Sequence, residues 1–287
     1  MSGAGRCLSE VTFARREDIP DLRAIWMACF GGPEQYLDFY YTYRFVPKDT
    51  LVVRDEGRPV AMLTLMRVRL EGKEGYYVYA VATLPWYQGR GLQHRLSDCA
   101  LAEMRRRGAS FCCLVPAEPS LFEFYGELGY ETSFYRWEKT VFRGQEPAEE
   151  LSLSRCSGNR FLSLRREYLA GVPRAVIHPD RELRYIYREL CSFQGAVAVF
   201  PESGRLCYAA YNAYPDEIYL REQTGSDPER TARALMELHG IASSRIASAS
   251  PFPGAELLPY GMGRWLEDET PLTEKLSGTG YMALMLD

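Results

Sequence analysis

Two glycines separated by one residue stand between an apolar run and a helical pattern, in the segment VATLPWYQGRGLQHRL. A helix that begins just after a strand leaves several backbone N–H groups unpaired in its first turn, where they carry partial positive charge. Gly89 and Gly91 lack the side chains that would block a close approach, and Arg90 and Arg95 add positive charge nearby. This pattern favours the binding of a phosphate or pyrophosphate group.

Two common phosphate-binding loops do not fit the segment. A Walker loop ends on Lys followed by Ser or Thr, and neither dipeptide follows these glycines. A dinucleotide fingerprint needs a third glycine at the position that His94 occupies, and the preceding order of elements is not the start of a βαβ unit. A third kind of anion-binding loop fits better.

The segment LPWYQGRGLQHRL resembles the acetyl-coenzyme A loop of the GNAT (GCN5-related N-acetyltransferase) superfamily, whose pattern is Gln/Arg-x-x-Gly-x-Gly/Ala after a strand. Gln88 and Gly91 match this pattern, whereas Gln93 stands where a small residue is usual. The segment FYGELGYE resembles the next block of the superfamily, a short helix followed by Gly-Tyr or Gly-Phe. The resemblance covers about residues 8–142 and implies a GNAT-type mixed twisted sheet flanked by helices.

The length of 287 residues leaves room for a second domain. Both halves follow one order of helices, hairpin strands, strand, loop, helix and strand, which indicates an internal structural repeat. The resemblance implies that the second half is a degenerate GNAT-like α/β domain. The polar segment RGQEPAEELSLSR separates the halves, so we predict domains at residues 1–145 and 146–287. This arrangement is similar to the two-domain branch near the enhanced-intracellular-survival acetyltransferases. The closing segment GYMALMLD is predicted to be a strand.

The resemblance implies that acetyl-CoA is the co-substrate and that an amine attacks its thioester directly in a ternary complex. The strand at residues 78–84 would pair with the pantetheine amides, and the loop amides would hold the pyrophosphate. The residues expected to bind the cofactor are Val81, Thr83, Gln88, Gly89, Arg90, Gly91, Leu92 and Gln93.

Two catalytic residues follow from the same resemblance. Tyr125 matches the tyrosine that donates a proton to the leaving thiolate, and a phenol is a reasonable acid for that step. Asp287 ends the chain, and in the enhanced-survival branch the terminal carboxylate enters the active site; a frayed, exposed end is the alternative. The side chains that stay open as the general base are Glu123, Glu131, Tyr77 and Tyr79.

Composition limits the possible partners. The net charge of −4 argues against a general nucleic-acid binder. The sequence contains no run of about 18 apolar residues, so we expect no membrane span. The eight cysteines form no CxxC pair, and His94, His178 and His239 are too scattered for a ligand set, so we expect no metal and reduced thiols in a cytoplasmic protein. The expected partner is a small-molecule or peptide amine, and the oligomeric state stays open.

Three functions remain for a chain of this kind. The first is an acetyl-CoA-dependent N-acetyltransferase. The second is a non-catalytic acyl-CoA sensor, suggested by Gln93 and by the absence of an obvious base. The third is an aminoacyl or long-acyl transferase of tandem GNAT type, suggested by the length.

Overall fold

The structure is a computed structural model that describes residues 10–144 and 151–286. Within those residues helices and strands alternate in a mixed α/β order. The helices are α1 (Ile19–Cys29), α2 (Glu34–Tyr43), α3 (Leu92–Arg106), α4 (Ser120–Glu127), α5 (Gly158–Ala170), α6 (Asp180–Ser192), α7 (Pro228–His239) and α8 (Leu272–Lys275). The strands are β1 (Val11–Phe13), β2 (Thr50–Asp55), β3 (Arg58–Leu70), β4 (Lys73–Thr83), β5 (Phe111–Leu114), β6 (Glu131–Phe142), β7 (Ser154–Arg155), β8 (Gly195–Glu202), β9 (Arg205–Ala213), β10 (Ile218–Gln223), β11 (Ser243–Ser248) and β12 (Glu256–Trp265).

The described residues divide into two compact units. The first unit comprises residues 10–67, 74–114 and 266–268, and the second comprises residues 68–73, 115–144, 151–265 and 269–286. The predicted domain boundary between residues 145 and 146 falls in a segment outside the described residues, so it stays a prediction.

The first unit is built on the strands β1 to β5, in that spatial order. The pairs β1–β2 and β2–β3 are antiparallel, and β4 is parallel to β5. Helix α3 connects β4 to β5 and packs on β1 and β2. Its apolar side chains recur at helical spacing, so Leu92, Leu96, Ala100 and Met104 are buried on one face. Helix α3, which follows the glycine loop, is therefore held in place by its buried apolar face.

The second unit is built on seven strands in the order β12-β6-β11-β10-β9-β8-β7. Strands β10 and β11 are parallel, and the other neighbouring pairs are antiparallel. Helix α7 packs on β10 and β11 and buries Ala232, Leu235 and Met236 in a core that includes Phe200 and Leu220. Together the two units confirm the predicted mixed α/β fold with helices against mixed sheets.

The prediction of a closing strand at residues 280–287 is wrong over its described part. Only Gly280 and Tyr281 form isolated bridges there, and the backbone of Leu284 turns into the left-handed region with φ of 53°. Residues 281–286 are buried nonetheless, because their apolar side chains pack into the core without a ladder. Strand β12 was not predicted, because Pro259 and Gly261 are residues that usually interrupt a strand. The register of its pairing with β6 shifts at these positions.

No helix in residues 10–144 and 151–286 combines the length and the apolar character needed to cross a membrane.

Candidate functional site

Strand β4 carries a distortion just before the glycine loop. Ala80 has φ of 51° although it is not a glycine, and it is buried. A left-handed residue inside a strand costs about 1–3 kcal/mol, so the surrounding structure must hold it in place. Val81 and Thr83 follow this residue in the strand, and both are half-buried.

The partner strand leaves β4 before this distortion. The parallel ladder joins Gly75, Tyr76 and Tyr77 of β4 to residues 111–113 of β5, and its register ends there. Strand β4 continues for six more residues to Thr83. Val81 and Thr83 therefore lie beyond the point at which β5 pairs, where the strand edge is able to accept an extended ligand.

The loop after β4 is tied down by its own side chains. The hydroxyl of Tyr87 donates to Asp55 Oδ2 at 2.6 Å, and Arg90 Nη2 donates to the carbonyl of Trp86 at 2.8 Å. The guanidinium of Arg90 also lies 4.6 Å from the ring centroid of Tyr87. These contacts fix a short 3-10 turn, Pro85–Tyr87, that leads into the glycines. These side-chain contacts of Tyr87 and Arg90 therefore preorganise the loop.

The glycines form an open cradle at the start of α3. Gly89 and Gly91 have φ of 71° and 69°, and a Cβ on either would meet no heavy atom within 4 Å. No side chain caps α3, and the amide N–H groups of residues 89–93 donate to no described residue. Several donors at a helix N-terminus therefore remain available to an anion such as a pyrophosphate. The residues present fit the phosphate part of acetyl-CoA.

Gln93, the residue that departs from the loop pattern, turns back toward β4. Its Oε1 accepts a hydrogen bond from Thr83 Oγ1 at 3.3 Å, and its Nε2 is buried without a partner among the described residues. An unsatisfied buried donor costs about 1–3 kcal/mol. The side chain therefore links the strand to the helix, and both N–H groups of its Nε2 have no partner among the described residues.

The carbonyl of Thr83 is engaged within the protein. It accepts from Gln88 Nε2 at 3.1 Å and from the Sγ of Cys29 at 3.3 Å. Burial raises the pKa of the Cys29 thiol, so this group is a donor and not a thiolate. The carbonyl of Thr83, which was expected to pair with the cofactor, is thus already an acceptor within the protein, and the cofactor-binding roles of Val81 and Thr83 stay predictions.

An aromatic cluster borders β4 within the same unit. The ring of Trp26 lies 5.0 Å from Tyr40, 5.8 Å from Tyr36 and 5.9 Å from Tyr79 between centroids. The hydroxyls of Tyr36 and Tyr79 share a hydrogen bond of 3.0 Å. Tyr77 is buried, whereas Tyr79 and Tyr36 are half-buried. Of the two strand tyrosines considered as a base, Tyr79 is the more accessible to a ligand.

Tyr125 lies on α4, in the second compact unit. Only 8% of its surface is exposed, and its ring lies 5.2 Å from Phe124 and 5.9 Å from Tyr130. Burial raises the pKa of Tyr125 to about 12, so the phenol is protonated at neutral pH. Its hydroxyl donates to no described residue.

The carboxylates considered as a base differ in their surroundings. Glu131 accepts from the backbone N of Thr273 at 2.7 Å and from its hydroxyl at 3.1 Å, so both oxygens fix the start of α8. Glu123 is exposed on α4. Asp287 lies outside the described residues. Glu131 is therefore a structural carboxylate, a role that its position next to the FYGELGYE motif did not reveal.

No group of three or more His, Cys, Asp or Glu side chains is placed to hold a metal ion in the described ranges 10–144 and 151–286.

Comparison with known proteins identifies the class of domain. Residues 10–133 match the family model described as an acetyltransferase (GNAT) domain. This segment contains β4, the glycine loop and Tyr125, and the match confirms the resemblance to the GNAT superfamily. The chain therefore carries a GNAT domain. No curated protein matches the sequence.

Solved structures extend the similarity to nearly the whole chain. A GCN5-related N-acetyltransferase from Anabaena variabilis matches with a TM-score of 0.71 at 15% identity, over 91% of this chain and 73% of that one. One from Kribbella flavida matches with a TM-score of 0.65 at 19% identity, over 90% and 72%. Eis1 from Mycobacterium abscessus matches with a TM-score of 0.63 at 12% identity, over 90% and 74%. At these identities the shared property is the fold, and it covers both halves of the chain.

Proposed function

We propose that this chain is an acetyl-CoA-dependent N-acetyltransferase, in which an amine attacks the acetyl thioester directly in a ternary complex. The observation that carries the proposal is the start of α3, in the loop after β4. There the amide N–H groups of residues 89–93, which include two glycines, have no partner among the described residues. The GNAT domain match over residues 10–133 supports it. An anion at this helix end is favoured by both the N–H groups and the helix dipole.

Each part of acetyl-CoA has a proposed place on the first unit. Residues 88–93 hold the pyrophosphate through their amides, and the side chain of Arg90 adds charge at the rim. The backbone of Val81, beyond the end of the β4–β5 ladder, pairs with the pantetheine arm. Holding the thioester in one orientation supplies much of the rate in a direct transfer between bound reactants.

Tyr125 is the proposed proton donor to the leaving thiolate. Its burial keeps the phenol neutral, and its hydroxyl is not used by any described residue. A neutral phenol is able to donate its proton as negative charge develops on sulfur. The amine loses its proton to a base, for which Asp287 remains the proposal because Glu131 is held by Thr273.

The proposed acceptor is a small-molecule or peptide amine. The half-buried hydroxyls of Tyr36 and Tyr79, next to the ring of Trp26, are the groups on β4 and α2 that would meet it. Aromatic faces favour a cationic amine before it loses its proton.

Calorimetry and thiol release test the proposal in sequence. Coenzyme A should bind the wild-type chain, and acetyl-CoA with a broad amine panel should release free thiol. Tyr125→Phe should bind coenzyme A as the wild type does but release thiol about a hundredfold more slowly, as expected for the loss of a general acid. Tyr130→Phe is the matched control, since it removes a phenol hydroxyl from a neighbouring buried ring. Absence of coenzyme A binding at millimolar concentration would refute the proposal.

A non-catalytic sensor is the second candidate, and the buried amide of Gln93 is the observation that favours it. A sensor would bind coenzyme A and release no thiol with any amine in the panel. Equal rates for the wild type and Tyr125→Phe would remove Tyr125 from the mechanism while leaving the transferase in place.

A further inference from the structure

We propose that the acceptor of this transferase is an arylalkylamine, a primary amine on a short chain that ends in an aromatic ring. Its binding surface is an aromatic wall beside β4, made of Trp26, Phe30, Tyr36 and Tyr79, all within the first compact unit. The inference rests on the proposed function, because it names the substrate class of that acetyl transfer.

Trp26 joins the other three rings of the aromatic wall. Its ring lies 5.4 Å from Phe30, 5.8 Å from Tyr36 and 5.9 Å from Tyr79 between centroids. Ring pairs at these separations attract one another. Trp26 is 6% exposed, whereas 47% of the surface of Phe30 is exposed and the two tyrosines are half-buried. The buried indole therefore supports three rings that keep surface available to a ligand.

Two contacts hold the aromatic wall against the end of β4 that is proposed to meet the pantetheine arm. The hydroxyls of Tyr36 and Tyr79 share a hydrogen bond of 3.0 Å, and Tyr79 lies two residues before Val81. Cys29, the last residue of α1, donates from its Sγ to the carbonyl of Thr83 at 3.3 Å. An amine bound on the aromatic wall would therefore lie beside the proposed path of the acetyl thioester.

Helix α2 carries its carboxylates on the side opposite Tyr36. Glu34 and Asp38 are four residues apart and share one side of the helix. Both pair with Arg23 of α1, Asp38 Oδ1 at 2.6 Å from Nη1. Tyr36 follows Glu34 by two residues, and two residues turn an α-helix by about 200°. The side of α2 that joins the aromatic wall therefore presents a phenol and not these carboxylates.

This distribution of rings and charges favours one ammonium on an aromatic body. Aromatic faces attract a single ammonium, and an aryl ring gains ring contacts that an alkyl chain lacks. A polyamine or an aminosugar carries several ammonium groups, whose strongest partners are carboxylates. The two carboxylates of α2 are already engaged by Arg23. We therefore expect polycations to be poor acceptors.

The transfer to such an amine balances without another reactant. The ammonium first loses one proton to the base. The nitrogen then forms a bond to the acetyl carbon, the carbon–sulfur bond breaks, and the sulfur takes a proton as the nitrogen loses its second one. The products are the N-acetylated arylalkylamine and coenzyme A.

Thiol release with matched amines tests the substrate class. Phenylethylamine and cyclohexylethylamine carry the same ammonium on the same chain and differ only in the ring. The cyclohexyl ring has more apolar surface, so burial alone favours it, whereas the aromatic wall should give phenylethylamine about threefold higher kcat/KM. Spermidine should give a value at least about tenfold below that of phenylethylamine. A value for either comparison amine that equals or exceeds that of phenylethylamine would overturn the inference.

Phe30→Leu removes the most exposed ring of the aromatic wall and keeps an apolar side chain. The kcat/KM for phenylethylamine should fall about threefold and that for cyclohexylethylamine should change little, so the preference disappears. Phe13→Leu is the matched control, because Phe13 is 38% exposed on β1, three strands from β4, and should keep the wild-type preference. An undiminished preference in Phe30→Leu would contradict the assigned wall.

The failure of this inference differs from the failure of the proposed function. Coenzyme A binding, together with thiol release that is as efficient for spermidine or cyclohexylethylamine as for phenylethylamine, would refute the arylalkylamine and leave the transferase in place. No coenzyme A binding, or binding without thiol release from any amine, would refute the transferase and this inference with it.

Discussion

The starts of α3 and α7 share one local arrangement of strand and helix but differ in what meets their backbone amides. Each helix follows a strand that runs parallel to the next strand, and each parallel ladder is three residue pairs long. Residues 75–77 pair with 111–113 before α3, and residues 218–220 pair with 244–246 before α7. Each unit therefore brings the end of a strand to the N-terminus of a helix in the same local way.

The two helix starts differ in what meets their amides. At α3 the N-cap residue is Gly91 with φ of 69°, and no side chain among the described residues caps the helix. At α7 the carboxylate of Asp227 accepts from the N–H groups of Glu229 at 2.9 Å and Arg230 at 3.0 Å. Pro228 contributes no N–H at all. The donors that α3 leaves open are thus removed or satisfied in α7.

This difference separates the proposed anion site at α3 from the structural cap of α7. The carboxylate of Asp227 is itself the anion at the end of the α7 dipole, and it would repel a pyrophosphate. The topology alone consequently does not make a cofactor site, and the few residues before the helix decide it. Of these two helix starts, the one at α3 has no side-chain cap among the described residues.

The largest expected effect comes from giving α3 the cap that α7 has. Gly91→Asp places a carboxylate at the N-cap of α3, where it competes for the amides and repels phosphate, so the affinity for coenzyme A should fall by roughly a hundredfold or more. Calorimetry measures the change. Gly57→Asp is the matched control, because Gly57 has a similar φ of 82° with open space around it and lies in the turn between β2 and β3. If Gly91→Asp binds as tightly as this control, the open cradle is not the phosphate site.

The second largest effect concerns the side-chain amide of Gln93, whose Nε2 is buried without a partner among the described residues. Gln93→Glu replaces the buried Nε2 with an acceptor oxygen, so a phosphate nearby would be repelled, and the affinity for coenzyme A should fall by about tenfold. Gln93→Ala removes the same donor without adding charge and should cost only a few-fold. The order of the two variants is the informative result. Tighter binding by Gln93→Ala than by the wild type would mean that the side chain obstructs the cradle.

The cradle was predictable from sequence because glycine spacing is a local signal. Gly89 and Gly91 adopt the left-handed backbone that glycine tolerates, and Asp227 caps α7, which is typical of an aspartate directly before a proline at a helix start. The positive φ of Ala80 was not predictable, since alanine gives no sign of it in the sequence and the surrounding fold imposes it. The contact between Thr83 and Gln93 depends on how the strand meets the helix, which no local pattern encodes.

The second unit was harder to read for related reasons. Strand β12 contains Pro259 and two glycines, so its sequence resembles a loop, and its pairing with β6 is a tertiary property. The burial of His178 is equally hidden, because a lone histidine before a proline is typical of an exposed loop. Its partner Arg165 looks like a surface residue of an arginine-rich helix until Glu222 is placed beside it.

A smaller effect is expected from opening the cap of α7. Asp227→Ala removes two hydrogen bonds at the helix start and should lower the free energy of unfolding by about 1 kcal/mol. Coenzyme A binding should not appear at α7, because Pro228 still lacks an N–H and Glu229 keeps negative charge in the first turn. Denaturant unfolding measures the stability, with Asp216→Ala, an exposed carboxylate in the turn before β10, as control. An additional coenzyme A site in Asp227→Ala would show that the cap alone separates the two helix starts.

The smallest expected effect concerns the C-terminal end of α3. The last turn of α7 carries one basic residue, His239. Glu103 accepts from Arg106 Nε at 2.6 Å and from Arg107 Nε at 2.6 Å, and these bonds lower the pKa of Glu103 to about 2. Since the unfolded pKa is about 4.3, the carboxylate stabilises the fold at higher pH, and this stabilisation is lost as the pH falls from about 4.5 toward 2. The difference in unfolding free energy between the wild type and Glu103→Gln should therefore shrink over that interval. Asp98→Asn, which alters an exposed carboxylate on the same helix, should show no comparable change, and an equal pH dependence in both variants would contradict a specific role for Glu103.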